Sequence, residues 1–194
     1  MSSNNHLLFL FPQAVYIVDN LMLDSLNSFE ERIKDLARDK GTNSTPFLTV
    51  QSSWSTYSKL NEDDYFKELA DRIKIHAQAY LKELGMSYVA KDLDYNQMWF
   101  NISHAGEFNM PHVHNYNIIS GAFYVKTSTN NKITFFKDIA NMMLASDDST
   151  ELGKTNIELD CIPGRLVLFK SNMMHGTGAQ LDGEKIVISF NMTI

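Results

Sequence analysis

NISHAGEFNMPHVHNYNIISGAFYVK, running from Asn101 to Lys126, sets two histidines, His112 and His114, one residue apart in a polar frame. Alternate side chains of a β-strand share a face, so a strand through Pro111 to Tyr116 would turn both imidazoles toward one small ion. A third imidazole follows in PGRLVLFKSNMMHGTG as His175, and ten residues later comes Lys185 in EKIVISFN. Imidazoles are ready ligands for transition metals, and a lysine behind them can hold an anion. These four residues read as a metal site backed by an anion clamp.

Working outward, the chain from Tyr95 on has β texture. Gln97–Ser103, Pro111–Tyr116, Ile118–Thr127, Lys132–Phe136, Thr155–Cys161, Arg165–Lys170, Met174–Gly178 and Lys185–Thr193 are strand-like runs. Pro163-Gly164 and Asp182-Gly183 punctuate them, the second as a hairpin loop. Before Tyr95 the texture is helical. Leu26, Phe29, Ile33 and Leu36 recur at helical spacing up to Gly41. Asn61–Leu84 carries one apolar stripe, Phe66, Leu69, Ile73, Ala77, Tyr80, Leu81 and Leu84, and Gly85 stops it. Leu7–Leu10 and Ala14–Val18 are short entry or edge strands, Phe47–Tyr57 reads as a strand with a loop, and Asp138–Ser149 is Met-rich and then acidic. The expected fold is mainly β with flanking helices (α+β): a double-stranded β-helix, or jelly roll, with two N-terminal helices packed on one sheet. With no repeat and no linker in view, residues 1–194 are expected to form a single domain.

The closing strand carries its own signal. Lys185, Val187, Ser189 and Asn191 share one face and Ile186, Ile188, Phe190 and Met192 the other. If the polar face lines the space between the sheets, Lys185 meets an anion there and Ser189 adds a hydrogen bond; if it faces water, Lys185 is a solvated charge. Gln97, Trp99 and Asn101 share a face of the strand before the histidine pair. Asn101 is a candidate cofactor contact, with structural packing as its alternative. Tyr124 in SGAFYVK is a candidate to hydrogen-bond the same ligand, with a core aromatic as its alternative. Tyr116 and Asn117 stand where a substrate mouth would be.

A net charge of −6 gives no basic footprint, which disfavours a nucleic-acid partner. No apolar run reaches the length of a membrane span. The start of the chain lacks the basic flank and cleavage site of a secretory signal. The single Cys161 excludes an internal disulfide, which fits a reducing, cytoplasmic setting and a small buried residue on a strand. The apolar patch Leu7–Phe11 is a candidate edge for pairing with a second copy, as in a homodimer.

The ordered set Gly106-x-x-Asn109-x-x-His112-x-His114, then His175, then Lys185, resembles the iron(II)- and 2-oxoglutarate-dependent oxygenases. The nearest likeness is to the prolyl 4-hydroxylase-like branch and its small bacterial and phage members. SGAFYVK and KIVISFN also look like family sequence, and the likeness covers roughly Gln97 to Asn191. The resemblance implies a dioxygenase that uses Fe(II), 2-oxoglutarate and O2 to hydroxylate an unactivated C–H bond of a peptide or small molecule, releasing succinate and CO2. It assigns the metal to His112, His114 and His175 and the distal carboxylate of 2-oxoglutarate to Lys185. The chain departs from the family pattern at His114, where a carboxylate is usual. Glu107 is the acid closest in sequence that could swing in. Three histidines would also suit zinc.

Two other readings stand beside this one. A cupin-type three-histidine metalloprotein without 2-oxoglutarate fits Gly106-x5-His112-x-His114, but Ile118 or Ile119 stands where its glutamate belongs and the second cupin motif around His175 is missing. A noncatalytic jelly-roll binding module would keep the histidines as remnants.

Overall fold

The computed structural model describes residues 12–40, 42–43, 53–55, 57–138, 149–150 and 153–194. The Leu7–Phe11 patch, with the subunit pairing inferred from it, lies outside the described residues, as do most of Phe47–Tyr57 and of Asp138–Ser149.

Eleven strands form two sheets among the described residues. They are β1 Val15–Val18, β2 Thr42–Asn43, β3 Ser53–Ser55, β4 Asp94–His104, β5 Asn109–His112, β6 Ile119–Lys126, β7 Lys132–Phe136, β8 Asn156–Asp160, β9 Leu166–Lys170, β10 His175–Thr177 and β11 Glu184–Thr193. The major sheet runs β1-β9-β6-β11-β4-β3-β2 and the minor sheet β5-β10-β7-β8. All strand pairs within the two sheets are antiparallel. This is the expected jelly roll: β4–β11 correspond to the eight strand-like runs, β1 falls in the Ala14–Val18 entry strand and β3 in Phe47–Tyr57, while the short β2 was not foreseen.

Two helices, α1 Leu26–Lys40 and α2 Lys67–Glu83, pack on the outer face of the major sheet. In α1 the apolar positions Phe29, Ile33 and Leu36 are buried, as their spacing requires. They meet Phe123 and Val125 of β6, Ile186 and Ile188 of β11 and the α2 stripe in one continuous core. The second helix starts later than the periodicity from Asn61 implied. Leu60–Glu62 form a short 3-10 turn instead, and Asp63 Oδ1 accepts the Tyr65 backbone N–H at 2.9 Å, holding the chain in a turn before the helix. Gly85, at φ +77°, ends α2, and the Met86 N–H returns to the Leu81 carbonyl at 2.8 Å. A single further turn, α3 Ser87–Ala90, leads into β4.

Glu30, Lys34, Lys126 and Glu184 form a ring of ion pairs at 2.6–3.2 Å that ties α1 to the ends of β6 and β11. A second, smaller core lies between the sheets: Ala122, Tyr124, Ile133, Phe135, Cys161, Val167, Phe169 and Val187. Cys161 is buried there just beyond β8, where burial pushes its thiol pKa up. The Asp182-Gly183 turn is not a hairpin loop. The strands on either side, β10 and β11, belong to different sheets, so the turn carries the chain from the minor sheet to the major one.

Candidate metal centre

The site forms where the minor sheet faces β4 and β11. His112 closes β5 and His175 opens β10, and the two are direct partners in the antiparallel register. Their ring centroids are 4.5 Å apart. His114 reaches the same spot by another route. The strand ends at His112, so His114 lies beyond it and alternation does not aim its ring. Its backbone N–H donates to the Ser171 carbonyl at 2.9 Å, and its ring lies 4.9 Å from His112 and 5.1 Å from His175. One ligand atom from each of the three lies within 4.8 Å of the others.

The ring nitrogens are already sorted. His112 Nδ1 sits 2.7 Å from the Met110 carbonyl and His175 Nδ1 2.9 Å from the Met173 carbonyl. A carbonyl only accepts, so each Nδ1 carries the proton and each Nε2 keeps a free lone pair. Burial, and then the neighbouring His112, pushes the pKa of His114 down to about 4. Burial among Phe169, Phe135 and the other imidazoles takes His175 to about 3, against the Met173 bond, which acts the other way. Both stay neutral at pH 7, the form that binds a metal. His112 is exposed, so one side of the cluster is open.

Behind the histidines a cavity of about 580 Å³ runs between the sheets. The alternation of β11 holds. Lys185, Val187, Ser189 and Asn191 line this cavity, while Ile186, Ile188 and Met192 sit in the core under the helices. Lys185 is 3% exposed and has no hydrogen bond or ion pair among the described residues; burial lowers its pKa. Across the β11–β4 pairing its partner is Ser103, whose hydroxyl is buried, lines the same cavity and has no hydrogen-bond partner among the described residues. An unpaired buried ammonium beside an orphaned hydroxyl is costly, and the pair forms a ready cradle for a carboxylate. Among the described residues no carboxylate lines the cavity. Glu107 is committed elsewhere, its Oε2 accepting the His104 N–H at 2.8 Å.

The other expected residues also line the cavity. Asn101 donates to Ser189 Oγ at 2.8 Å and accepts from Trp99 Nε1 at 3.3 Å. Tyr124 is buried in the smaller core, its hydroxyl paired with the Cys161 thiol, and burial holds its pKa well above the usual tyrosine value. Ser103 was missed by sequence reading, although its small polar side chain at the end of an apolar-alternating strand marks a position facing the cavity. Tyr116, two residues past His114, is 97% exposed at a left-handed φ of +64°, a conformation bulky residues rarely adopt.

Residues 97–191 match the family described as "Putative 2OG-Fe(II) oxygenase". The chain belongs to the 2OG-Fe(II) oxygenase family. The matched segment spans the two site histidines of the first motif, the third histidine and Lys185. The three-histidine cluster fits an iron site within this family, and the cupin-type alternative is not favoured. Solved structures of low sequence identity share the fold. A Pseudomonas putida prolyl-4-hydroxylase aligns with a TM-score of 0.67 at 12% identity, over 93% of this chain and 92% of that one. The epimerase SnoN from nogalamycin biosynthesis, solved with Fe3+, α-ketoglutarate and nogalamycin RO, aligns with a TM-score of 0.70 at 12% identity over 93% and 79%. A Trichoplax adhaerens prolyl hydroxylase, solved with a hypoxia inducible factor peptide fragment, aligns with a TM-score of 0.65 at 11% identity over 92% and 83%. No curated protein matches the chain by sequence. As an oxygenase of this family the chain is an enzyme that works with iron and 2-oxoglutarate. No helix among the described residues is long and apolar enough to cross a membrane.

Proposed function

We propose that the chain acts as one domain, that His112, His114 and His175 hold iron(II), and that Lys185 and Ser103 hold the distal carboxylate of 2-oxoglutarate. The observation that carries this is the unpaired, buried Lys185 beside an orphaned serine hydroxyl at the back of a cavity whose front holds three clustered imidazoles. The donor set fits a divalent cation. Two of the three imidazoles have their Nδ1 occupied by backbone carbonyls and present Nε2, and metal–imidazole distances of about 2.1 Å need only a small inward movement of atoms now within 4.8 Å. When bound, iron with the keto acid supplies the oxidising chemistry: O2 and 2-oxoglutarate are converted to succinate and CO2 as an unactivated C–H becomes C–OH.

The chain's own residues do the positioning. Lys185 neutralises the far end of the keto acid as a point charge, and Ser103 adds a hydrogen bond. Ser189 and Asn101, bonded to each other, present a fixed polar wall, and Tyr124 and Val187 shape the floor. Trp99 near His114 and Phe169 against His175 keep the ligand side dry. The substrate enters over the exposed rim made by Met110, Val113 and Tyr116 beside the histidines. An exposed aromatic and apolar rim on an acidic chain fits a peptide or small-molecule substrate rather than a nucleic acid. The lone buried Cys161 supports a reducing cytoplasm as the working compartment.

Turnover tests this directly. Purified protein with Fe(II), 2-oxoglutarate and O2 is expected to form succinate slowly without substrate, and His175→Ala is expected to stop it. Lys185→Ala is expected to weaken 2-oxoglutarate use about 10- to 100-fold, the worth of one charge-assisted hydrogen bond. Succinate formation that survives His175→Ala would contradict the reading.

A further inference from the structure

The three histidines are not supported alike. His112 and His175 each lean on a backbone carbonyl two residues earlier, which fixes the ring whatever the neighbouring side chains are. Among the described residues no such carbonyl meets the His114 ring. Its Nδ1 lies 3.4 Å from the carboxamide nitrogen of Asn191, whose oxygen faces Ser120; the flipped carboxamide, which exchanges the two, fits the same space. Asn191, 4% exposed, continues into a buried chain of hydroxyls. The other end of its carboxamide is 2.7 Å from Ser120 Oγ, and Ser120 Oγ is 2.8 Å from Ser171 Oγ. Ser120 and Ser171 are each 1% exposed. Ser171 is also the residue whose carbonyl takes the His114 backbone N–H, so one small network grips both the backbone and the ring of this ligand.

The network is satisfied in two senses. A hydroxyl both donates and accepts, so Ser120 can face either the oxygen or the nitrogen of the carboxamide. With the nitrogen toward His114, Nδ1 is an acceptor, the ring proton sits on Nε2, and that nitrogen has no lone pair to give. With the oxygen toward His114, Nδ1 carries the proton and Nε2 is free to ligate. We propose that Asn191 is the positioning residue for His114: its carboxamide oxygen accepts the Nδ1 proton, with Ser120 and Ser171 bracing the carboxamide, and this makes His114 a third metal ligand. The inference rests on the three-histidine metal reading above. It assigns a role to the polar end of β11 and to the serine that opens SGAFYVK. In many metal sites such outer partners fix the tautomer, and their loss costs 10- to 100-fold in metal affinity.

The test is Co(II) binding to the full chain, followed by visible absorption, with thermal unfolding of the metal-free protein run beside it. Asn191→Leu is expected to weaken Co(II) binding 10- to 100-fold. Asn191→Asp, which keeps an acceptor for both His114 and Ser120, is expected to restore binding to wild-type affinity or better. In a His114→Ala background, Asn191→Leu is expected to change affinity less than about threefold, because the effect runs through that ring. Should Asn191→Leu fail to fold, Ser120→Ala removes only the brace, and a several-fold loss is expected. Wild-type affinity in a folded Asn191→Leu protein, or an equal loss with and without His114, would overturn the positioning role while leaving the metal site standing. Wild-type protein that binds no Co(II) would overturn both.

Discussion

Lys185 is the residue on which the anion side of the site turns. A lysine in water titrates near 10.5, and burial between the sheets lowers this one. In the pH window between the lowered value and 10.5, the unfolded chain binds a proton that the folded, ligand-free chain does not. Stability therefore rises with pH across that window as far as this group is concerned. Keto-acid binding has the opposite sign, because the dianion needs the ammonium. Affinity for 2-oxoglutarate is thus expected to fall as pH rises through the lowered value, before pH 10.5. In Lys185→Arg, whose guanidinium stays charged, that fall should be absent even if the affinity itself is lower. Calorimetric titration of 2-oxoglutarate into the Mn(II)-loaded protein across pH checks it; a flat wild-type profile up to 10.5 would argue that Lys185 does not meet the ligand. That this lysine shares a face with Ser189 and Asn191 was legible in the sequence, where they alternate with Ile186, Ile188, Phe190 and Met192; that the face turns inward rather than to water is decided by the fold. Its partner Ser103 was not legible, because only the β4–β11 register brings the two together.

At the scale of elements, the proposed metal site is a property of the β5–β10 pair. Gly176, next to His175, shows how closely the two strands approach. A Cβ there would lie 2.8 Å from the Asn109 carbonyl oxygen, 3.1 Å from the Pro111 nitrogen and 3.2 Å from the Met110 carbonyl carbon. All three are backbone atoms of the strand that carries His112, so none can swing aside. Gly176→Ala is expected to push β5 off β10, cost about 1–3 kcal/mol, and lower metal affinity by parting His112 from His175. Gly178→Ala, where a Cβ meets nothing within 4 Å among the described residues, is expected to leave both within error. Thermal unfolding and Co(II) titration of the two variants check this. The sequence grouped the histidines that the fold brings together, for a partly mistaken reason. His112 and His114 do not share a strand face, because β5 stops at His112 and His114 is held by contacts from β11, β6 and the segment after β9. Those contacts join residues 51 to 77 positions apart, beyond the reach of any local periodicity.

Across the whole molecule the two faces of the major sheet divide the labour. Its outer face, under α1 and α2, holds the larger apolar core and the ring of ion pairs around Glu30. Its inner face is thereby free to carry polar residues and an open cavity. The chain as a whole is acidic, at −6, yet the cavity contains a buried lysine and no carboxylate among the described residues. Three neutral imidazoles leave a bound divalent cation uncompensated by the protein, and Lys185 adds to the positive charge. A dianionic keto acid is the natural counter-charge, so metal and 2-oxoglutarate should stabilise one another strongly here. The most direct measurement is an anaerobic titration: iron(II) is added first, then 2-oxoglutarate, and the weak visible charge-transfer band of an iron-chelated keto acid is followed. A saturable band is expected, one that His175→Ala abolishes and that Lys185→Ala shifts to higher 2-oxoglutarate concentration. Iron binding with no band at saturating 2-oxoglutarate, or a band that Lys185→Ala leaves unchanged, would contradict that expectation.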